Sequence, residues 1–227
     1  MMLDTVAPYI GFWFQGVALT VILSVACFPI SIVIGLFVAF ASLSPAKVMA
    51  RCGTAYMNLF RGLPEMMVIF IFFYGSNIAL GKIGRLIGQQ MPGANPTVAV
   101  LIALSVQFGA YAAVIFRDWM LVLSKGLIEA GYAIGMSRWQ VRRRIVVSLV
   151  MRSATPALGN LFLVMLKISA LASLIGVQEL SRTTNIISGS IRDPLLGYSI
   201  AAILYLFISA VSGFVQHRFE ARIQLSR

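Results

Sequence analysis

Residues 11–41 read GFWFQGVALTVILSVACFPISIVIGLFVAFA, and no charged side chain occurs anywhere from Thr5 to Ala46. A helix crossing a bilayer needs about 20 apolar residues, at 1.5 Å of rise per residue over a core of about 30 Å. The run exceeds that length and predicts a first membrane helix over 11–41. Pro29 permits a kink within it, with Ser24 and Ser31 near enough to satisfy freed carbonyls.

Four further apolar runs come later in the chain, over 64–79, 97–117, 156–176 and 195–216. Pro92, Gly93 and Pro96 set the start of the third, Lys167 interrupts the fourth, and His217 and Arg218 close the fifth. The second is short unless residues from Tyr56 onward join it. The fold class predicted is therefore an all-α membrane protein of five transmembrane helices, with the whole chain, 1–227, as one domain and no internal repeat. Composition agrees, because 59% of residues are hydrophobic and only 11% charged, with a mean hydropathy of +0.91. A water-soluble domain carries about 25% charged residues. With Asp4 and no Lys or Arg ahead of the first run, that run reads as a retained helix and not a cleaved signal peptide.

The net charge of +11 would suit a nucleic-acid binder if the basic residues shared a polar face. They lie instead between apolar runs, which excludes nucleic acid as a partner and marks them as topology signals. Thirteen fall on one side: Lys47, Arg51 and Arg61 after the first helix; Arg117, Lys125, Arg138, Arg142, Arg143, Arg144 and Arg152 after the third; Arg218, Arg222 and Arg227 in the tail. Four fall on the other: Lys82, Arg85, Arg182 and Arg192. Basic loops stay cytoplasmic, so the N-terminus is expected outside and the C-terminus inside. Cys27 and Cys52 offer neither a disulfide framework nor a metal site.

The cytoplasmic loop at 118–153 is amphipathic. Leu121, Leu127, Ile128, Ala130, Ile134, Met136, Trp139, Val141 and Ile145 recur at helical spacing among Arg and Lys. Gly135 reads as a helix stop and Ser137 as the N-cap of the next helix, predicting two short helices around a glycine turn. Such an element fits either an anionic lipid surface or a groove on a partner protein.

Glu129-Ala130-Gly131 followed by Gly135 resembles the Glu-Ala-Ala loop of ATP-binding-cassette (ABC) importer permeases. Gly109-Ala110-Tyr111, Phe116-Arg117, Lys125-Gly126, Arg143-Arg144-Ile145 and Pro156 follow the polar amino acid branch of that family in order and spacing. Upstream, Phe60-Arg61-Gly62-Leu63-Pro64 and Tyr74-Gly75 match it, as does Leu166 to Gly176 downstream. The likeness covers about Phe12 to Phe219 and points in particular to histidine, arginine and opine permease subunits. It implies a bacterial inner-membrane subunit that translocates such a solute by alternating access. The implied partners are an ABC ATPase dimer carrying ATP and Mg, a periplasmic solute-binding protein, and a second permease subunit, a related chain in the first instance and a second copy otherwise. No cofactor is expected on this chain, which lacks a Gly-x-x-x-x-Gly-Lys-Ser/Thr phosphate loop and is not expected to be an enzyme.

The resemblance further implies that Glu129, Ala130, Gly131, Gly135, Arg138 and Arg142 couple the chain to the ATPase. Glu129 is expected to pair with Arg138 or Arg142, and Gly135 to hold a turn that a Cβ would obstruct. Three positions depart from the family: Gly131 replaces the last Ala, Ser148 a Pro, and Val114 a Glu. Pathway or gating candidates are Gln107 and Tyr111, one helical turn apart, and the intramembrane Lys167. Glu65 suits the helix N-terminus behind Pro64, and the Phe70–Tyr74 aromatics suit lipid. A self-contained channel or secondary transporter is the alternative. It would require several buried ionisable groups, of which the sequence offers only Lys167. An intramembrane enzyme would require a metal or nucleophile constellation that a chain with one histidine does not supply.

Overall fold

The computed structural model describes residues 6–225, and these are almost entirely helical, with no strand among them. After a 3₁₀ turn at Ala7–Tyr9 come α1 (Ile10–Ser42), α2 (Lys47–Gly62), α3 (Glu65–Ile87) and α4 (Pro96–Val122). Next come α5 (Lys125–Ala133), the long α6 (Arg138–Ile175), α7 (Leu180–Ile191) and α8 (Pro194–Leu225). Five stretches are long and apolar enough to cross a membrane: Ala7–Ser42, Glu65–Ile87, Pro96–Val122, Arg138–Ile175 and Pro194–Arg222. The five-span expectation holds.

The boundaries differ instructively. The segment after α1, expected as a basic loop, is the helix α2. It stays separate from α3 because Leu63 and Pro64 are extended, as proline forces on the residue before it. The fourth span does not begin at Pro156. Proline lies inside α6, which runs from Arg138 through a π-helical stretch at Val141–Val147 and ends in a 3₁₀ turn at Ser169–Ile175. The helix passes straight through Ser148, where a proline would have removed a hydrogen bond. An unpredicted helix, α7, fills the connection to α8. In α1, Ser24 donates to the Thr20 carbonyl and Ser31 to that of Cys27, both at 2.9 Å. Neither reaches the Val25 carbonyl that Pro29 leaves free, so the expected compensation is absent.

α4 is the central helix, with 61% of its most apolar window buried against 11–39% for the other spans. Helices in lipid associate by close packing, which favours small residues where they cross. α4 supplies Ala99, Ala103, Gly109, Ala110, Ala112 and Ala113. At its crossing with α1, a Cβ on Gly35 would sit 2.6 Å from Ala112 Cβ and 2.9 Å from the Ala113 backbone nitrogen. A backbone neighbour cannot swing aside, so even Gly35→Ala is expected to lower stability by about 1–3 kcal/mol. Thermal unfolding in detergent measures this, and an unchanged midpoint would contradict the tight crossing.

Candidate functional site

The α5–α6 hairpin is built by local rules. Gly135 has φ +83°, its N–H bonds the Tyr132 carbonyl at 3.0 Å, and the Met136 N–H bonds that of Gly131 at 3.1 Å. This pair of bonds is the Schellman ending that a left-handed residue permits. Ser137 then opens α6 with a reciprocal capping box: Gln140 N–H donates to Ser137 Oγ, and Ser137 N–H to Gln140 Oε1 at 2.8 Å. The expected turn and N-cap are both present. The reason for Gly135 is different, however. Nothing lies within 4 Å of the Cβ it lacks, so the glycine serves backbone conformation and no neighbour obstructs a side chain.

Gly131 is the glycine of the hairpin with close neighbours. It is buried, and a Cβ there would meet Ile145 Cδ1 at 2.6 Å and Val141 Cγ2 at 3.2 Å. The Ile145 methyl lies where an alanine Cβ would project, and it would have to turn aside for one. Glu129, Ala130, Arg138 and Arg142 are exposed. Glu129 forms no ion pair or hydrogen bond with Arg138 or Arg142 among the described residues. Instead Arg142 places its guanidinium 5.9 Å from the Phe40 ring centroid at the end of α1. The expected pairing gives way to a contact between elements. Ile134 and Trp139, 79% and 69% exposed, complete an outward face that this chain does not cover.

A second constellation lies at the α2–α3 corner. Gln107 is fully buried and donates from Nε2 to the carbonyls of Phe60 (3.3 Å) and Leu63 (3.0 Å). It thereby satisfies carbonyls that the end of α2 leaves open. Tyr56 braces the same corner by donating to the Val106 carbonyl at 2.6 Å. The corner therefore sits beside Gln107, about 16 Å from the N-terminal end of α4 at 1.5 Å per residue. Arg61, expected in a basic loop, is exposed near the end of α2, and Glu65, expected at a helix N-terminus, is the half-buried first residue of α3; both stand beside Tyr111 of α4. Tyr111 donates to Glu65 Oε1 at 3.3 Å, and the Arg61 guanidinium lies 6.0 Å from the Tyr111 ring centroid. A cavity of about 250 Å³ opens here, lined by Arg61, Tyr111, Val114, Ala157, Asn160 and neighbours. Tyr111 thus faces a cavity, whereas Gln107 is a structural brace. Lys167 is exposed and shares a stripe of α6 with Asn160 and Val164, about 10 Å along the helix from Asn160.

Sequence reading misses a buried carboxylate, Glu179, which has no exposed surface. It caps α7 by accepting from the N–H groups of Ser181 and Arg182, each at 2.9 Å. Tyr205 of α8 donates to it at 2.9 Å. Thr20 of α1 lies 3.5 Å away, its single proton better placed on the Gly16 carbonyl at 2.9 Å. Glu179 precedes a Ser-Arg-Thr-Thr run, the only sequence hint of an N-cap. Glu179→Ala would leave the N–H groups of Ser181 and Arg182 without their cap and the Tyr205 phenol with only Ser181 Oγ at 3.1 Å, an expected loss of about 1–2 kcal/mol. Burial, which outweighs these hydrogen bonds, pushes the carboxyl above the ordinary glutamate range. A raised acid binds its proton more tightly folded than unfolded, so its contribution declines as pH rises above that ordinary range. The melting temperature of Glu179→Gln should show less of this decline than the parent.

The description "Binding-protein-dependent transport system inner membrane component" matches residues 31–225, most of the chain. The protein belongs to this family. Members of the family are the membrane permeases of ABC importers, and the ATPase is a separate subunit, so this permease is not itself catalytic. Two permeases of named systems are similar over nearly their whole length. The octopine transport system permease protein OccQ of Rhizobium radiobacter is 38% identical, over 92% of this chain and 88% of its own. The histidine/lysine/arginine/ornithine transport system permease protein HisQ of Escherichia coli K12 is 32% identical, over 94% and 96% respectively. A crystal structure of an amino acid ABC transporter with histidines superposes with a TM-score of 0.80, at 26% identity over 97% of this permease and 98% of that chain.

Proposed function

We propose that this permease imports a polar amino acid or an opine across a bacterial inner membrane, its N-terminus outside and its α5–α6 hairpin in the cytoplasm. The observation that carries this reading is the continuity of α6. One unbroken helix joins the hairpin at Arg138 to the cavity wall at Ala157, Asn160 and Leu161, and continues to Lys167. At 1.5 Å per residue, Arg138 and Asn160 stand about 33 Å apart along it. Displacing the hairpin therefore displaces the cavity wall. An ATPase dimer that binds ATP and Mg and grips Glu129, Ala130, Trp139 and Arg138 in one of two positions biases the cavity between two openings, because a shift requires differential affinity for two states.

Arg61 supplies the positive group for the carboxylate that amino acids and opines share, and Asn160 and Tyr111 supply hydrogen bonds. The exposed face of α6 leaves the cavity open on one side, where a second permease subunit closes it, a related chain before a second copy. A secreted binding protein delivers the solute. Affinity purification of the tagged chain tests the assembly: an ATPase should co-purify, and so should a second, different permease. Solute uptake by proteoliposomes holding this chain alone would overturn the reading in favour of a self-contained transporter.

A further inference from the structure

α2 carries a polar stripe with no role in the packing described above. Lys47, Arg51, Thr54, Asn58 and Arg61 follow one another at intervals of four, three, four and three residues, which places them on one side of a helix. All five are exposed. A second face carries Val48 and Leu59, exposed and apolar. A third is buried, with Gly53 against Ser42 of α1 and Tyr56 bonded to α4. The apolar outer face is what lipid requires, and the buried face holds the helix in the bundle. The stripe satisfies neither need. Arg61 at its upper end lines the 250 Å³ cavity, and Lys47 at its lower end follows the end of α1. Ionisable and amide side chains at membrane depth turn toward water-filled space.

We infer that this stripe is the wall of an aqueous exit from the cavity to the cytoplasm, and that its charge takes the departing solute by its carboxylate. The inference rests on the importer reading and its orientation. The stripe holds three cations and no acid. One carboxylate, that of Glu65, stands beside the same Tyr111 as Arg61 and accepts its hydrogen bond, which leaves a carboxylate's charge in place; against it the three cations keep a positive surplus, and Val114 adds no acid. Wall charge of one sign raises the local concentration of the opposite sign. The track therefore favours solutes bearing carboxylates, and a solute with two over one whose side chain is a bare cation.

Cysteine labelling of the assembled transporter in inside-out vesicles tests both parts. With Cys52→Ser as background, Asn58→Cys is compared with Leu59→Cys, at the same depth on the lipid face, and Thr54→Cys serves as a second reporter. The probes are sulfonatoethyl and trimethylammonioethyl methanethiosulfonate. Asn58→Cys should react about 10-fold faster than Leu59→Cys, and should favour the anionic probe several-fold relative to a free thiol, a preference that Arg51→Gln reduces. Equal rates at the stripe and lipid positions would show a dry stripe and overturn the inference. A preference for the cationic probe would overturn its carboxylate part. ATP-driven uptake of histidine and octopine is measured on the same complexes in proteoliposomes. No uptake with the labelling pattern intact sinks the importer reading for these solutes and leaves the wet stripe standing. Uptake with a dry stripe sinks this inference alone.

Discussion

Gly135→Val is expected to abolish uptake while the chain remains inserted and folded. The residue sits at φ +83° in open space, so the damage comes from the backbone and not from a clash. A left-handed conformation costs an ordinary residue about 1–2 kcal/mol, and a β-branched side chain is among the worst placed there. The hairpin escapes by relaxing Gly135 to negative φ. That breaks the two bonds to Tyr132 and Gly131 and swings α5 away from the start of α6. The membrane helices do not depend on this turn, but the orientation of Glu129 and Ala130 relative to Arg138 does. Uptake should fall below about a tenth of the parent, with membrane content within a factor of two; Gly135→Asn, which tolerates the left-handed region, should retain more. Wild-type uptake by the valine variant would remove the hairpin from the coupling path. Disappearance of the protein would assign the glycine to folding.

The second large effect is expected at Arg61. Arg61→Gln keeps a polar side chain, two bonds shorter, but removes the charge from a cavity wall where Tyr111 and Asn160 are the other polar groups. A hydrogen bond to a charged group contributes about 1.5–3 kcal/mol, so losing about 2 kcal/mol with the solute carboxylate predicts roughly 30-fold slower uptake. Arg61→Lys should fall between, since a point charge remains without the planar fork. The binding protein's own solute affinity, measured apart, must stay unchanged. Uptake within twofold of the parent for Arg61→Gln would place the solute elsewhere.

How much of this is legible in the sequence depends on the range of the interaction. The hairpin is legible because its determinants all lie between Gly131 and Gln140: a positive-φ glycine, a Schellman ending and a Ser137–Gln140 capping box. Its internal fit is not, because the methyl packed closest against Gly131 belongs to Ile145, further along the chain in the next helix. The cavity is half visible. Spacing nominates Tyr111, whereas Arg61 reads as a loop residue, and Gln107 reads as a pathway residue although it braces the α2–α3 corner.

The amino-acid sequence by itself determined the solvent, the five spans and the turn that joins α5 to α6. Hydropathy over about 20 residues and the φ preferences of single residues are properties of local chain. Only the tertiary structure decided depth and partnership: Arg61 and Glu65 beside Tyr111 of α4, Glu179 shielded between α1 and α8, and Lys167 and Asn160 on one uncovered stripe. Those outcomes follow from where helices far apart in the chain cross. A crossing is chosen by the complementary shapes of two surfaces, such as Gly35 against Ala112 and Ala113, and neither surface alone records the other.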